Sequence, residues 1–577
     1  MTKFLGSLTL VLSLGFYHGF SQPASSPFDL HPPLLGELTL SGSFGELRNN
    51  SFHAGIDFRT GGKIGKKVFA SEKGYISRIR VGGYGFGRAL YVKHPNGLTT
   101  VYAHLHKFSP KIEAFIKDYQ YKNESFEVDV WLNAKTFPVK RGEVIAISGN
   151  TGSSGGPHLH YELRLTENQK PLNPRFSNLP IADNMPPVIN ELWAYPLSKT
   201  SAIDGENTFR QLKIRETNGV YAPTDTIYAS GLIGLGIKTY DYINRNSLRC
   251  GVYSITMTVN NSVYYSFAVD EFLYSETRYA NSHMDFALRE NENKRVHKLF
   301  KDPNNRFSGY KTLVNNGEIN VKPDSVYYIN IAVADASRNY KHMNLIVKGQ
   351  AYKIDQLPED LPKNQLNAPL WLFYNDNKYE TEWFSIYMPK NSLYQNIAFT
   401  SNTDTTTHEF YSPIITIHKK TTPLHKRYTL RIKADSIPNR LKNKALIATY
   451  NSKNEIEGIE STYNEGAIEA QTNTFGDFFV TIDSIGPVIA PLNISEGKNM
   501  QNQRQIIFSI TDSLSGIESI AGYIDNSWAL FEYDPKSHLV FYEFDNSRIG
   551  EDKEHNVKII AVDRKNNKTR FSCKFYW

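Results

Sequence analysis

Histidine and aspartate side chains recur in short segments of the sequence at spacings that suit a bound metal ion. His53 and Asp57 lie four residues apart around Gly55, while His158 and His160 lie two apart in a strand pattern. Since alternate residues of a strand share one face, the last two imidazoles leave the sheet on the same side. Imidazoles with one carboxylate and no thiolate are typical ligands of catalytic zinc, and three such ligands leave a fourth position for water.

A third segment, VYAHLHKF at 101–108, places His104 at the end of another predicted strand. It also contains His106, so the chain has two His-x-His pairs. Taken alone, such a pair fits a copper site, a surface pair or no site, and a His-x-x-x-Asp spacing is common by chance. The combination of the three segments is what indicates a metal site.

Together the segments resemble the lysostaphin/LytM-type zinc endopeptidases, which cut peptide crosslinks in bacterial cell walls. The matching stretches occur in the family's order and are FHAGIDF at 52–58, YGFGRALYVKHPNGLTTVYAHL at 84–105 and SGNTGSSGGPHLHYELR at 148–164. The resemblance covers residues 37–175 and implies an antiparallel β-roll there. It implies nothing about the rest of the chain.

Carried over position by position, the resemblance makes His53, Asp57 and His160 the ligands of one zinc ion. It makes His104 and His158 catalytic histidines that do not bind the metal. His106 stays outside the pattern. The implied chemistry is zinc-assisted hydrolysis, in which one imidazole takes or delivers a proton.

Three neighbouring residues carry secondary expectations. Glu162 leaves the same face as His160, where it either orients that ligand through a hydrogen bond or is a rim carboxylate without a role. Tyr102 either supports His104 and the substrate or packs in the core. Gly55 is expected to let the backbone bend, so that the ligands on either side of it reach the same ion.

Alternating apolar runs bounded by Gly, Pro or Asn predict a mainly β chain. The antiparallel β-roll that the resemblance implies is expected to be followed by two or three immunoglobulin-like β-sandwich domains. A joint, NLPIADNMPPVI at 178–189, is echoed by TIDSIGPVI at 481–489, and IAVADASRN at 331–339 is echoed by IAVDRKNN at 560–567. These echoes indicate a degenerate repeat, although loops of similar composition explain the same letters. The predicted parts are a signal peptide at 1–22, the zinc endopeptidase β-roll at 30–180 with an insertion at 111–134, a β-sandwich at 186–350, a β-rich domain at 351–483 and an immunoglobulin-like β-sandwich at 485–577.

The composition narrows the class of protein. The net charge of +7 over 577 residues is spread thinly, which argues against nucleic acid as a partner and fits mild affinity for anionic polymers. Lys3, an apolar stretch at 4–16 and small residues before QPASSP are typical of a secretory signal peptide. No later stretch reaches the ~20 apolar residues of a membrane span, so no transmembrane segment is expected in the mature chain. Cys250 and Cys573 are expected to be separate buried thiols, but their pairing is left open.

These features predict an exported zinc metalloendopeptidase that hydrolyses peptidoglycan peptides in the periplasm or cell envelope, or after secretion. The alternative is a catalytically inactive relative that binds peptidoglycan or activates a partner amidase; such relatives typically lack metal ligands, whereas all five positions are filled here. The β-sandwiches at 186–577 are expected to add reach, bind an envelope protein or close the substrate groove, and to contribute no chemical group. The sequence leaves open which peptide bond is cut and which histidine is the base.

Overall fold

The short apolar runs fold into strands along most of the described chain, and the predicted mainly β fold class is confirmed. The computed structural model describes residues 28–244, 248–351, 368–406, 409–434 and 437–577. The predicted signal peptide at 1–22 lies outside these residues. Within them, no helix combines the length and the apolar character needed to cross a membrane.

A large antiparallel sheet carries the three histidine segments. The elements of this region are β1 (Leu40–Gly42), β2 (Ile56–Arg59), β3 (Lys67–Phe69), β4 (Gly74–Val81), β5 (Ala89–Lys93), β6 (Leu98–Ala103), β7 (Leu105–Phe108), α1 (Pro110–Asn123), β8 (Val128–Trp131), β9 (Val144–Ser148) and β10 (His158–Leu165). Shorter strands are Leu47–Arg48, Ser51–Phe52, Pro138–Val139 and Pro171–Leu172, and a 3-10 turn spans Pro174–Phe176. The main sheet runs in the order β1-β2-β10-β6-β5-β4-β8, and β3, β9 and β7 form a second sheet. This arrangement puts β10 between β2 and β6, so all three segments meet in neighbouring strands.

The predicted insertion at 111–134 contains a helix followed by a strand. The helix α1 has proline in its first turn, where a backbone N–H has no partner within the helix. It buries Ile112 and Ile116 against the core. The strand β8 then pairs antiparallel with β4 and extends the sheet at one edge. The insertion therefore adds ordered structure beside the sheet.

The following β region shares its core with the β-roll. Its strands are Val188–Pro196, Ala202–Ile203, Arg210–Leu212, Ile214–Thr217, Val220–Pro223, Ile227–Tyr240, Ser254–Val259, Ser262–Ala268, His297–Lys298, Tyr310–Leu313, Ile319–Val321, Val326–Ala334 and Tyr340–Gly349, with short helices at Tyr274–Tyr279, Ala280–His283, Phe286–Glu292 and Asn315–Gly317. Buried apolar residues from Leu30 through Val347 form one cluster. Phe52 of the β-roll stacks on Phe307 with ring centroids 4.1 Å apart. The predicted boundary near residue 180 therefore separates segments of the sequence that share one core.

Two further β regions each enclose their own core between two sheets. The first comprises Leu370–Trp371, Asn377–Glu380, Phe384–Met388, Ile397–Ala398, Ser401–Asp404, Ile414–Ile417, Tyr428–Lys433, Ala445–Tyr450, Ile456–Ile459, Ser461–Asn464, Ala467–Thr472 and Gly476–Ile482, with a 3-10 helix at Asn439–Lys444. The second comprises Val488–Pro491, Lys498–Asn499, Gln505–Thr511, Ile517–Ile524, Ser527–Ala529, Glu532–Asp534, Leu539–Glu543, Glu554–Asp563 and Lys568–Tyr576. Cys250 and Cys573 are both buried free thiols, as expected.

The C-terminal β region returns to the β-roll and contacts it through charged side chains. Lys117 of α1 lies 2.5 Å from Asp545, and Arg548 lies 2.6 Å from Asp118. The Lys536 ammonium donates to the Asn150 carbonyl oxygen. Chain segments 386 to 430 residues apart in sequence thus lie side by side at α1 and at the loop that precedes β10.

Candidate metal centre

Strand register brings the predicted ligands together around β10. His160 lies opposite Asp57 of β2 on one side and opposite Ala103 of β6 on the other. His53 precedes β2, and His104 follows β6 at the break before β7. His104 has a left-handed φ of 57°, which costs a non-glycine residue roughly 1–3 kcal/mol and is typical of functional sites.

Three side-chain atoms form a close triangle that suits one metal ion. His53 Nε2 lies 3.1 Å from His160 Nδ1, and Asp57 Oδ1 lies 2.9 Å from His160 Nδ1 and 3.2 Å from His53 Nε2. Neighbouring ligands of a tetrahedral zinc bound at ~2.0–2.1 Å lie about 3.3–3.4 Å apart. All three residues are buried. The donor types and their spacing therefore fit zinc.

Hydrogen bonds outside the triangle point the ligand lone pairs inward. The Nδ1–H of His53 donates to the Ser43 carbonyl oxygen at 2.8 Å, since a carbonyl can only accept, and Nε2 is left with a lone pair. Arg48 Nη2 donates to Asp57 Oδ2 at 2.8 Å, which leaves Oδ1 for the ion. Ser43 and Arg48 were not predicted, because no spacing rule connects a backbone carbonyl or an arginine nine residues before Asp57 to the ligands.

Glu162 orients His160 from a fully buried position. Its Oε1 accepts from His160 Nε2 at 2.9 Å, which leaves His160 Nδ1 free to bind a metal. Its Oε2 accepts from Arg164 Nε and from the Tyr274 hydroxyl, each at 2.6 Å. Burial alone would raise the pKa of Glu162, but Arg164 and His160 lower it to about 2. The rim alternative for Glu162 is wrong, and Tyr274 comes from the next β region, which no local pattern indicates.

His104 and His158 stand beside the triangle with matching hydrogen bonds. The Nδ1–H of His104 donates to the Thr151 carbonyl oxygen at 2.8 Å, and that of His158 donates to the Gly156 carbonyl oxygen at 2.8 Å. Both rings therefore keep a lone pair on Nε2 in the neutral form. Their centroids lie 4.8 Å apart, and His158 Nε2 lies 3.5 Å from Asp57 Oδ1. Burial, followed by repulsion from neighbouring histidines, lowers the pKa of His104 to about 3, so its ring is neutral at neutral pH.

The electrostatics of the triangle favour a positive charge at its centre. Burial would raise the pKa of Asp57, but attraction to His53 and hydrogen bonds from His158 and His160 hold it well below its usual value. Burial also opposes charge on His160, yet its bonds to Asp57 and Glu162 raise its pKa to about 9. A proton and a metal ion compete for the same His160 nitrogen, so the arrangement that attracts one attracts the other.

The structure corrects the expectation for Gly55 and decides between the two alternatives for Tyr102. The φ of Gly55 is not positive; a Cβ there would lie 2.5 Å from the Tyr161 carbonyl oxygen and 2.9 Å from His160 Cε1. Glycine is therefore needed for the close approach of β10, and the expected bend is not its role. The Tyr102 hydroxyl accepts from the Ser71 N–H at 2.8 Å inside the core, so the packing alternative is correct.

A cavity lies between the loop that precedes β10 and the C-terminal β region. It has a volume of about 500 Å³ and is bordered by Tyr84 and Ser154 on one side and by Tyr533, Pro535 and Lys536 on the other. The Ser154 hydroxyl lies 3.2 Å from Nδ1 of His158, on the side of that ring opposite Nε2. The cavity is thus bounded by chain segments that are distant in sequence, but neither the triangle residues nor His104 and His158 line it.

Comparison with family models identifies two parts of the chain. The model of peptidase family M23 matches residues 51–121 and 128–174. The interruption at 122–127 falls between α1 and β8. The model of a Zu5-like domain matches residues 371–483.

Curated relatives match over less than a quarter of this chain. The DD-carboxypeptidase/endopeptidase Mpg of Neisseria meningitidis serogroup B is 39% identical over 129 residues, covering 22% of this chain and 23% of that protein. The peptidoglycan DD-endopeptidase ShyA of Vibrio cholerae is 33% identical over 134 residues, covering 23% of this chain and 25% of that protein. A crystal structure of a zinc-containing peptidase from Vibrio cholerae is 27% identical, covers 26% of this chain and 40% of that chain, and has a TM-score of 0.20.

The match thus spans about a quarter of the length of the curated relatives. The match to the family model includes every segment that contributes to the triangle and to the two histidines beside it. Residues 51–174 of this chain are therefore a domain of peptidase family M23.

Proposed function

We propose that the protein is an exported zinc-dependent endopeptidase that hydrolyses peptide bonds in peptidoglycan stem peptides or crosslinks. The observation that carries the proposal is the triangle of His53 Nε2, Asp57 Oδ1 and His160 Nδ1, with edges of 2.9–3.2 Å, beside two further histidines. A metal centre of this donor set with neighbouring proton carriers is suited to hydrolysis.

The three triangle residues would hold the zinc ion, and the surrounding hydrogen bonds fix how they do so. When bound, zinc supplies Lewis acidity that polarises a carbonyl group and makes water more acidic. Ser43 and Glu162 hold the two imidazoles in the tautomers that present lone pairs, and Arg48 holds the carboxylate. These contacts preorganise the site, because the ligands need no rearrangement to meet an ion.

His104 and His158 would move the protons of the reaction. Each Nδ1–H is tied to a backbone carbonyl, so each ring exchanges protons through Nε2. The ring that accepts a proton from the attacking water becomes the donor for the departing amine. A ring that has accepted a proton would also stabilise negative charge developing on the carbonyl oxygen of a bound substrate.

Peptidoglycan is supported as the substrate by the names of the relatives, which include a peptidoglycan DD-endopeptidase. An exported location in the periplasm or cell envelope follows from such a substrate. The β regions after residue 186 would hold the chain at the wall or bind an envelope protein.

The proposal is tested with full-length protein reconstituted with zinc. Elemental analysis should show one zinc ion per chain, and mass spectrometry should detect new amino termini in a panel of defined muropeptides. The matched control is His158→Ala, which should keep zinc and lose cleavage. Zinc-loaded, folded protein that cuts none of the panel would refute the enzyme and support the inactive activator.

A further inference from the structure

The two copies of the sequence repeat build the same cluster of aspartates. Asp183 and Asp483 precede the strands that begin at Val188 and Val488. Val188 pairs with Tyr240 and Val488 pairs with Thr511, and in both cases the next residue is an aspartate, Asp241 or Asp512. The third members, Asp335 and Asp563, lie where a long strand ends. The two copies of the repeat therefore share an arrangement of three carboxylates as well as a strand pattern.

An asparagine closes each cluster in the same way. Asn339 Nδ2 donates to the Asp183 carbonyl oxygen at 3.3 Å and to Asp335 Oδ2 at 2.7 Å. In the second copy, Asn567 Nδ2 donates to the Asp483 carbonyl oxygen at 2.9 Å and to Asp563 Oδ2 at 2.7 Å. These bonds hold the first and third aspartates side by side, although about 150 residues separate them in the first copy.

The first cluster is buried and its negative charge is only partly balanced. One oxygen from each of Asp183, Asp241 and Asp335 lies within 4.8 Å of the others. Arg175 Nη2 donates to Asp183 Oδ2 at 3.1 Å, so one positive charge faces three carboxylates among the described residues. Burial and mutual repulsion raise the pKa of Asp241 to about 8 and that of Asp183 to about 6. The folded chain therefore places negative charges together at a cost in free energy.

Asp241 provides a separate indication that a ligand belongs here. Its side chain is only 2% exposed, and its Oδ1 has no hydrogen-bond partner. An unpaired carboxylate oxygen in the interior is unfavourable in free energy unless it is neutralised or bound. A cavity of about 20 Å³ adjoins Asp183, Asp241 and Arg175, which is enough for one water-sized particle.

The donor set selects the class of ligand. Carboxylate and carbonyl oxygens without imidazole or thiolate are the ligands of hard divalent cations. Ca²⁺ binds oxygens at ~2.3–2.6 Å, so two oxygens on one ion lie at most about 4.6–5.2 Å apart. Oxygens that all lie within 4.8 Å of one another can therefore share one such ion. We propose that Asp183, Asp241 and Asp335 bind one Ca²⁺ ion that ties the joint after the M23 domain to the β region that follows.

The experiment compares calcium binding and stability in the full-length, zinc-loaded chain. After removal of calcium, wild-type protein is titrated with CaCl₂ by calorimetry, and its Tm is recorded with and without calcium. Asp241→Asn should weaken the binding by at least about 10-fold, because it removes one charged ligand. Asp225→Asn, at an exposed position in the same β region, is the matched control and should bind like wild type.

The stability measurement separates an ion site from a purely structural hydrogen-bond cluster. Calcium should raise the Tm of wild type and of Asp225→Asn, and leave that of Asp241→Asn unchanged. Without calcium, Asp241→Asn should be at least as stable as wild type, since it relieves repulsion. If that variant does not fold, Asp183→Asn is measured in its place. The proposal would be overturned if wild type gave no heat and no Tm shift with millimolar calcium. It would also be overturned if Asp241→Asn bound calcium as tightly as wild type. A response to Mg²⁺ equal to that to Ca²⁺ would overturn the assignment to calcium.

Discussion

Replacing Glu162 by glutamine tests whether the buried carboxylate holds His160 ready for a metal. The carboxylate accepts hydrogen bonds on both oxygens, from His160 on one side and from Arg164 and Tyr274 on the other. A glutamine amide has only one acceptor oxygen, so its NH₂ group must face a donor on one of the two sides. Either His160 loses the bond that sets its tautomer, or Arg164 loses its buried partner.

The size of the effect of Glu162→Gln depends on whether His160 or Arg164 loses its hydrogen bond. Loss of a partner that orients a metal-ligating histidine typically lowers metal affinity about 10–100-fold, or about 1.4–2.7 kcal/mol. Loss of the partner of Arg164, which is only 6% exposed, costs about 3–5 kcal/mol of folding stability. We therefore expect Glu162→Gln to bind zinc at least about 10-fold more weakly, or to unfold at clearly lower denaturant concentration. Zinc affinity is measured by competition with a chromophoric chelator, and stability by urea unfolding.

The matched control is Glu167→Gln, which changes the same residue type at an exposed position beyond the end of β10. It should leave both quantities at the wild-type value. At saturating zinc, folded Glu162→Gln should recover kcat to within a few-fold, because Glu162 contacts the ligand and not the substrate. Wild-type zinc affinity together with wild-type stability in Glu162→Gln would refute the role assigned to this network.

Other predictions concern the ligands, acidity and chain length. Alanine at His53, Asp57 or His160 should abolish zinc binding. Alanine at His104 or His158 should leave zinc bound and lower kcat by about 10²–10⁴. If His158→Ala lost zinc and His160→Ala kept it, the assignment of ligand and catalytic histidine would be reversed. Phenanthroline should stop cleavage and added zinc restore it. Zinc affinity should fall as pH drops below about 9, because the raised pKa of His160 favours the proton over the metal, and a pH-independent affinity would contradict this. A fragment ending at residue 180 should unfold more readily than the full chain, since it exposes part of a shared core; urea unfolding at a wild-type midpoint would show that the β-roll folds alone.

Sequence patterns were sufficient to predict the site residues that lie close together in sequence or in adjacent strands. The period of two in His158 and His160 places both on one face of β10, and the glycine turns around the strands indicate the β fold. His53 and Asp57, which lie four residues apart, were predicted to share one site, and the side chains of both contact His160. Local periodicity is enough here because strand geometry depends on neighbouring residues.

Only the tertiary structure shows which residues distant in sequence form hydrogen bonds around those ligands and where the core ends. Tyr274 reaches Glu162 from 112 positions away, and Asp183 meets Asp335 through Asn339, contacts that no periodicity predicts. The expectation that the later β regions add no chemical group to the site is corrected by Tyr274, whose hydroxyl holds the carboxylate behind His160. The physical reason is that chain segments far apart in sequence meet only through packing, and packing is determined by the shapes of whole sheets and cores. The sequence by itself determined the ligand types and their strand faces, while the fold determined their partners, tautomers and burial.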